Sequence, residues 1–376
     1  MQPSSLGRRP LAQLGFTLIE LMVGILVSMI CVIAIMSAFA VYEGHKRTTT
    51  SGNDAMQNGS FSLYELERQI RSAGSGIING SNYNLWGCPI QAVTGTTSVL
   101  PMGSALKAPF ANWPTTVLTV PILIQSGGTG PDTIGVISGN AAYQAFNIAI
   151  TSASSATDVT VGNNFGIQPN DYLLGPLTNG KCALAQVASI AGTTSVTLST
   201  NNSATTGLQT AQYAFDMGSS PIFTLFGVDT SSNTLVSYDL LQRTANGGNA
   251  NTPIADGIVQ IKALYGIHDG STANQAANYI DKWVQPTGSW DIATLTASTS
   301  AAATAATKIK AIRIAVVAQS RLPERSSDYT TGKTTLTLFT DLPAAQRYTI
   351  ATNSQYRYRV YDTTVPLLNA MINTHF

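Results

Sequence analysis

From Leu21 to Tyr42 the chain carries no charged side chain. As a helix rising about 1.5 Å per residue this run would extend ~33 Å, enough to cross the hydrocarbon layer of a bilayer. Such a segment must be covered by lipid or by other apolar helices, which fixes the N-terminal part of the fold before anything else is read. A single carboxylate, Glu20, stands at its edge. An acid beside hydrocarbon is costly unless it is paired, and the segment offers no cation to pair it. A cut between Gly15 and Phe16 would supply one, because a new α-amino group would appear one helical turn from Glu20, on this subunit and on any similar neighbour. An amine and a carboxylate that meet when two such helices stack would set their axial register. The pattern therefore predicts an assembly element as well as an anchor.

The residues Gly15-Phe16-Thr17-Leu18-Ile19-Glu20-Leu21, preceded by Arg8-Arg9, resemble the class III signal of type IV pilins and pseudopilins. The resemblance implies that a membrane-embedded prepilin peptidase cleaves after Gly15 and methylates the new amine of Phe16, and that Glu20 is the family's assembly carboxylate. The apolar stretch lies beyond the expected cut, so it stays in the mature protein, unlike a Sec-type cleavable peptide. Charge alone does not orient it, since Lys46 and Arg47 balance Arg8 and Arg9. The resemblance places the leader in the cytoplasm and the remainder in the periplasm of a single-pass inner-membrane protein, later at the cell surface.

Only 10% of the 376 residues are charged against 44% hydrophobic, with a formal net charge of +1. A balance so near zero gives no global attraction for nucleic acid, which is not expected as a direct ligand. Abundant Ser, Thr, Asn, Ala and Gly suggest a β-rich exterior domain, and the length allows one large core or two small ones. Cys31 falls in the apolar run and reads as a small apolar residue. Cys88 and Cys182 are candidates for a disulfide in an oxidising compartment.

After Tyr42, Met56, Gly59, Leu63, Leu66, Ile70 and Ala73 recur at spacings of three and four, while Glu65, Glu67, Arg68 and Arg71 fall mostly off that stripe. Helix is expected from Phe16 to Ala73, with Gly74-Ser75-Gly76 as the stop. Gly44 and Gly52 make the part between Glu43 and Asn53 the weakest, where a bend is expected. Beyond residue 76 short β-type runs dominate, among them Val117 to Ile124, Thr133 to Ile137, Asp158 to Val161, Ile222 to Val228, Ile258 to Tyr265, and Lys308 to Ala318. The stretch Thr294 to Thr307 reads as a loop or one helix. The fold class is α+β: a leader over 1–15, a pilin-type helix over 16–73 whose 16–42 part spans the membrane or enters a filament core, and a large antiparallel β-rich domain over 74–376.

Several runs resemble the PilW-type minor pilins: Gly130 to Ile134, Asn170 to Leu174 with Cys182, Asp256 to Ile267, Ile309 to Val317, and Tyr356 to Asn369. Where that family's closing motif commonly has Arg before the Asn, this chain has Leu368, so no contact of that Arg carries over. The resemblance implies a minor pilin that acts in pilus assembly and priming, and hence in twitching motility, adhesion or DNA uptake. Its partners would be the prepilin peptidase, other minor pilins, the major pilin, the assembly platform, a tip adhesin and the inner membrane. A J-class pseudopilin of type II secretion shares the leader and a β-rich domain. A membrane-tethered adhesin or enzyme is the alternative of another class.

Other motifs read as structure. Gly175 to Cys182 nearly satisfies the phosphate-loop pattern but ends in Cys where a hydroxyl is needed to hold Mg²⁺, so it reads as a turn. His45, His268 and His375 lack metal-ligand spacing, no nucleophile elbow is present, and neither a catalytic residue nor a cofactor is expected. In Tyr356-Arg357-Tyr358-Arg359 a strand would put Tyr356, Tyr358 and Val360 on one face, covering a core, with the arginines on the other. Stacking on single-stranded DNA is the competing reading of that run.

Overall fold

The computed structural model describes residues 15–94, 97–141, 147–199, 207–241, 250–273, 276, 278–297, 299–324 and 334–372. Its chain opens with α1 (Leu18–Ser72). Helical hydrogen bonding runs through Gly44 and Gly52 without a break, so the expected weak part is still helix. The chain divides into two compact units between Ser51 and Gly52. In the first, the described residues from Gly15 to Glu43 are all exposed. Ser28 and Ser37 there donate to Ile25 O and Ala34 O, each at 2.8 Å, which keeps their hydroxyls satisfied without water.

In the second unit the last turns of α1 bury Ala55, Ser62, Leu66 and Ile70, and Ala73 just beyond; Leu66, Ile70 and Ala73 lie with Gly59 on the expected stripe, whereas Ala55 and Ser62 are buried in place of Met56, which is 48% exposed, and Leu63, which is half-buried. Gly74, at φ +81°, ends the helix in the left-handed conformation that a side chain would resist. Ten strands come next: β1 (Ile90–Thr94), β2 (Thr97–Leu100), β3 (Ile122–Gln125), β4 (Thr133–Ser138), β5 (Ile148–Ala153), β6 (Asp158–Val161), β7 (Tyr172–Pro176), β8 (Cys182–Ala191), β9 (Ser195–Leu198) and β10 (Tyr213–Asp216). Beyond them lie β11 (Ile222–Asp229), β12 (Thr234–Asp239), β13 (Thr252–Asp256), β14 (Ile258–Ile267) and β15 (Lys282–Val284). After the short helices α2 (Ile292–Leu295) and α3 (Ser300–Thr307) the chain continues with β16 (Ile309–Gln319), β17 (Thr335–Leu338), β18 (Tyr348–Ala351), β19 (Tyr358–Pro366) and α4 (Leu368–Ile372).

Among the described residues these strands form three sheets and one hairpin, and the single parallel pairing is β1 with β8. In the eight-stranded sheet β8 also pairs with β9, which closes β8, β7, β10, β5, β6 and β9 into a small barrel. The barrel encloses its own core of Val159, Val161, Leu173, Val187, Val196 and Leu198. Closure removes two sheet edges that would otherwise invite association. A second, larger core lies among α1, the five-stranded sheet (β13-β12-β11-β4-β3) and the four-stranded sheet (β15-β14-β16-β19). β16 is buried almost throughout because its other face carries a third cluster with Leu338, Phe339 and Ile350 of the β17–β18 region, which explains why its sequence is apolar apart from Lys310, Arg313 and Gln319.

Three local expectations are corrected. Residues 117–121 are not strand: they lie beside 87–90, with Thr119 N donating to Cys88 O at 3.0 Å, and the ladder starts only after Pro121, which has no N–H to give. The run from Thr294 divides into α2 and α3, with Asp291 Oδ1 accepting from Thr294 N at 2.6 Å and Thr299 Oγ1 accepting from Ala302 N at 3.2 Å as caps. The closing strand begins at Tyr358 and not at Tyr356, and Val360 is exposed. The core-facing tyrosines are Tyr358, which packs on the third cluster, and Tyr361, which packs against the main core.

At the end of β10, burial pushes the Asp216 carboxyl up from 3.8 to about 6; the nearby Asp171 carboxylate adds to this and the Gly218 N–H opposes it. Asp216 Oδ1 accepts from Gly218 N at 2.8 Å, while Oδ2 is buried without a partner among the described residues. A carboxyl whose folded pKa is raised binds its proton more tightly in the native state. Its stabilising contribution is complete below its ordinary pKa and is lost as pH rises through about 6. Asp216→Asn should flatten urea midpoints between pH 4 and pH 7 and raise stability at pH 7.5 by roughly 1–2 kcal/mol. An unchanged slope would show that another group titrates.

Candidate functional site

Gly15 and Phe16 precede the helix, and Phe16 is 82% exposed. Thr17 supplies the first cap: its carbonyl accepts from Leu21 N at 3.1 Å and its Oγ1 accepts from Glu20 N at 3.3 Å. Thr17-Leu18-Ile19-Glu20 therefore has the spacing of a capping box, with Glu20 in the first turn, where the positive end of the helix dipole favours an acid. This is a second, local reason for an acid at position 20, legible in the spacing of Thr17 and Glu20 but missed when the acid was explained by pairing alone. α1 is long and apolar enough to cross a membrane by length and composition. Residues 1–14, including Arg8 and Arg9, lie outside the described residues.

The seat of the helix's second part is built from the end of the chain. At Gly59 an added Cβ would overlap the Tyr361 ring and stand 3.0 Å from Ala318 Cβ, so only glycine lets β16 and β19 approach the helix this closely. Tyr361 Oη donates to Met56 O at 3.2 Å. At the other end of the contact, Asn369 Nδ2 donates to Ser72 O at 3.3 Å, which also accepts from Ser75 N at 3.0 Å, and to Ala73 O at 3.1 Å, a carbonyl that the ending helix leaves unbonded. Asn369 thus has a defined structural task, and Leu368 beside it is 52% exposed. Asn369→Ala should cost about 1–2 kcal/mol, as loss of a cap does. Hydrogen exchange of the amides from Leu66 to Ala73 would report it, and unchanged protection there would contradict the cap.

Cys88 and Cys182 are joined as a disulfide, with Cα atoms 5.7 Å apart and a sequence separation of 94. The bond lies where β1 begins to run parallel to β8, with Ile90 opposite Cys182 and Cys182 N donating to Pro89 O at 2.8 Å. The phosphate-loop-like octet is the β7–β8 turn, closed by Leu177 N donating to Lys181 O at 2.7 Å, with Gly180 at φ +78°. Arg357 pairs with Glu324 at 2.7 Å. His268 lies 3.2 Å from the Asp281 carboxylate, and no group of three metal-ligating side chains occurs among the described residues. His375 and the side chain of His45 lie outside them.

A buried ion pair that sequence reading missed joins two sheets. Lys262, on β14, and Asp132, just before β4, are both fully buried, with Nζ 2.8 Å from Oδ1. Lys262 Nζ also donates to Gly128 O at 2.8 Å and lies 4.8 Å from the centre of the Tyr348 ring. The carboxylate accepts from Gly127 N at 2.9 Å and Ala263 N at 3.0 Å. Burial raises the Asp132 carboxyl, while Lys262 and the two backbone N–H groups act against that rise. The signal was a lone lysine inside the apolar strand run Ile258–Ile267, since a charge there must be paired.

The family model for PilW, described as Type IV Pilus-assembly protein W, matches residues 225–369. That span begins in β11 and ends at the helix-capping Asn369. It contains the resembling runs from Asp256 and Ile309 and the closing strand, while those at Gly130 and Asn170 fall outside it. A solved type IV-like pilin from Thermus thermophilus is 10% identical over 84% of this chain and 96% of its own, with a TM-score of 0.31, too low to bear on any structural argument. No curated protein matches the sequence significantly. With its apolar N-terminal helix, the motif that opens it and the match over residues 225–369, the chain is type IV pilin-like and resembles the PilW family of pilus-assembly proteins.

Proposed function

We propose that this chain is an inner-membrane prepilin that becomes a minor subunit of a type IV pilus. Prepilin peptidase removes residues 1–15 and methylates the amine of Phe16. The helix then leaves the bilayer for the filament core, where the amine of one subunit meets a Glu20-type carboxylate of another. Apolar helix packing supplies most of the cohesion. The β-rich domain, held to the helix through Gly59, Tyr361 and Asn369, works with other minor pilins, the major pilin, the assembly platform and a tip adhesin to prime growth. The role is structural and not catalytic.

The observation that carries this reading is the contiguous motif Gly15 to Leu21 with Glu20 in the first turn of an exposed apolar helix. The test compares the parent chain with Glu20→Ala and Glu20→Gln in cells that make pili. Membrane insertion should be unchanged, the mature chain should begin at a methylated Phe16, and recovery in sheared filaments should fall by at least about tenfold, a cost of ~1.4 kcal/mol per contact. Glutamine keeps much of the capping capacity and loses the charge. Normal incorporation of Glu20→Gln would therefore refute the pairing role and leave only the cap.

A further inference from the structure

A cleft of about 540 Å³ opens between three segments of the second unit: the turn after the short 3₁₀ helix Gly80–Tyr83, the β7–β8 turn, and the start of β10. Its size lies within the range of roughly 300–1,000 Å³ found for small-molecule sites. Tyr83 and Tyr213 meet in its wall edge to face, with ring centres 4.8 Å apart and planes at 61°. The buried Phe215 backs Tyr83 at 6.1 Å, so the aromatic pair is fixed while both rings stay partly open to solvent. Around them stand the exposed amides of Asn84 and Gln212, the Thr178 hydroxyl and the Lys181 ammonium. None of these four side chains has a hydrogen-bond or ion-pair partner within the protein among the described residues. No carboxylate lines the cleft among the described residues.

This combination selects a ligand class. Partly exposed tyrosine rings offer an apolar, electron-rich surface to C–H groups, and amides and hydroxyls exchange hydrogen bonds in both directions. A single lysine with no competing acid favours one negative charge, while one cation is too few for a phosphate chain such as nucleic acid. The exposed Asn84, Thr178, Lys181 and Gln212 side chains would lose water without gaining partners beneath a lipid tail, which disfavours one. We propose that the cleft binds an acidic oligosaccharide, its C–H face against the tyrosines, its hydroxyls on Asn84, Gln212 and Thr178, and its carboxylate at Lys181. The disulfide joins the chain close to two of these segments: Asn84 lies shortly before Cys88, and Lys181 adjoins Cys182. It staples two of the three walls together, so the site is formed before ligand arrives and loses less entropy on binding.

The site is independent of the assembly reading, since no residue of α1 lines the cleft. Saturation-transfer NMR and titration calorimetry on the full chain in detergent micelles would use trigalacturonic acid and 3′-sialyllactose as acidic probes and maltotriose as the neutral one. At least one acidic probe should bind, and more tightly than maltotriose. Lys181→Ala, at an exposed turn, should weaken it about tenfold or more and abolish the preference, with less difference at high salt. Tyr213→Ala should remove binding, and Gln212→Ala, at an exposed position, gives a second reading should Tyr213→Ala disturb the barrel. Binding of neither acidic sugar, equal binding of the neutral one, or affinity unaffected by Lys181→Ala and Gln212→Ala would overturn the proposal. Filament incorporation of Lys181→Ala should equal that of the parent chain, which separates failure here from failure of the assembly reading.

Discussion

Replacing Lys262 with methionine should remove roughly 3–5 kcal/mol of folding free energy, the scale for breaking a buried ion pair from one side. The lost ammonium leaves Asp132 buried with only the Gly127 and Ala263 N–H groups as partners, and releases the Gly128 carbonyl. The effect is large because the pair links the loop before β4 to β14, and so one sheet of the main core to the other. It is not a measure of what the intact pair contributes, because desolvating both charges offsets most of their attraction. The double variant Lys262→Met with Asp132→Asn removes both charges while keeping an acceptor for the backbone, and should regain at least half of the loss. Urea midpoints of the full chain in detergent would check this. A double variant as unstable as the sum of the two singles would show that the charges do not act as a pair.

Replacing both Cys88 and Cys182 with serine should cost about 4–5 kcal/mol if loop-closure entropy of the unfolded chain dominates, given the 94-residue separation. The cost should fall on the cleft as well as on the whole domain, because the bond fixes the 80s turn against the β7–β8 turn. Alkylation of the oxidised, urea-unfolded chain should modify Cys31 and spare the other two, and reduction should expose both. Labelling of Cys88 and Cys182 before reduction would rule the bond out. An unchanged urea midpoint in the double variant would mean that native strain cancels the entropic gain.

How far the sequence could be read depended on how far apart partners lie along it. The stripe Gly59, Leu66, Ile70 and Ala73 and the stop at Gly74 arise from spacing and glycine chemistry within a few residues, while the burial of Ala55 and Ser62 in place of Met56 and Leu63 depends on how the domain packs against the helix. The box Thr17 to Glu20 was equally local, and it was missed only because pairing already accounted for the acid. Asn369 was different: its partners are 296 and 297 residues away, and no local pattern marks a side chain as the cap of a remote helix. The lysine in β14 was visible as an anomaly, but nothing near it named Asp132, which is 130 residues distant. Closure of the barrel was further from reach, since alternation in β8 or β9 says which side chains point inward and not which strand lies alongside.

By itself, then, the sequence determined the apolar helix, the carboxylate at its start, the β-rich character of the rest of the chain and the cysteines available for a bond, because each depends on chemistry carried within a short window. The tertiary structure alone decided that β8 meets β9, that Lys262 meets Asp132, that Tyr361 rests on Gly59, and that three distant segments converge around Tyr83 and Tyr213. Those choices depend on which surfaces exclude water together, and long-range burial is a property of the folded chain as a whole.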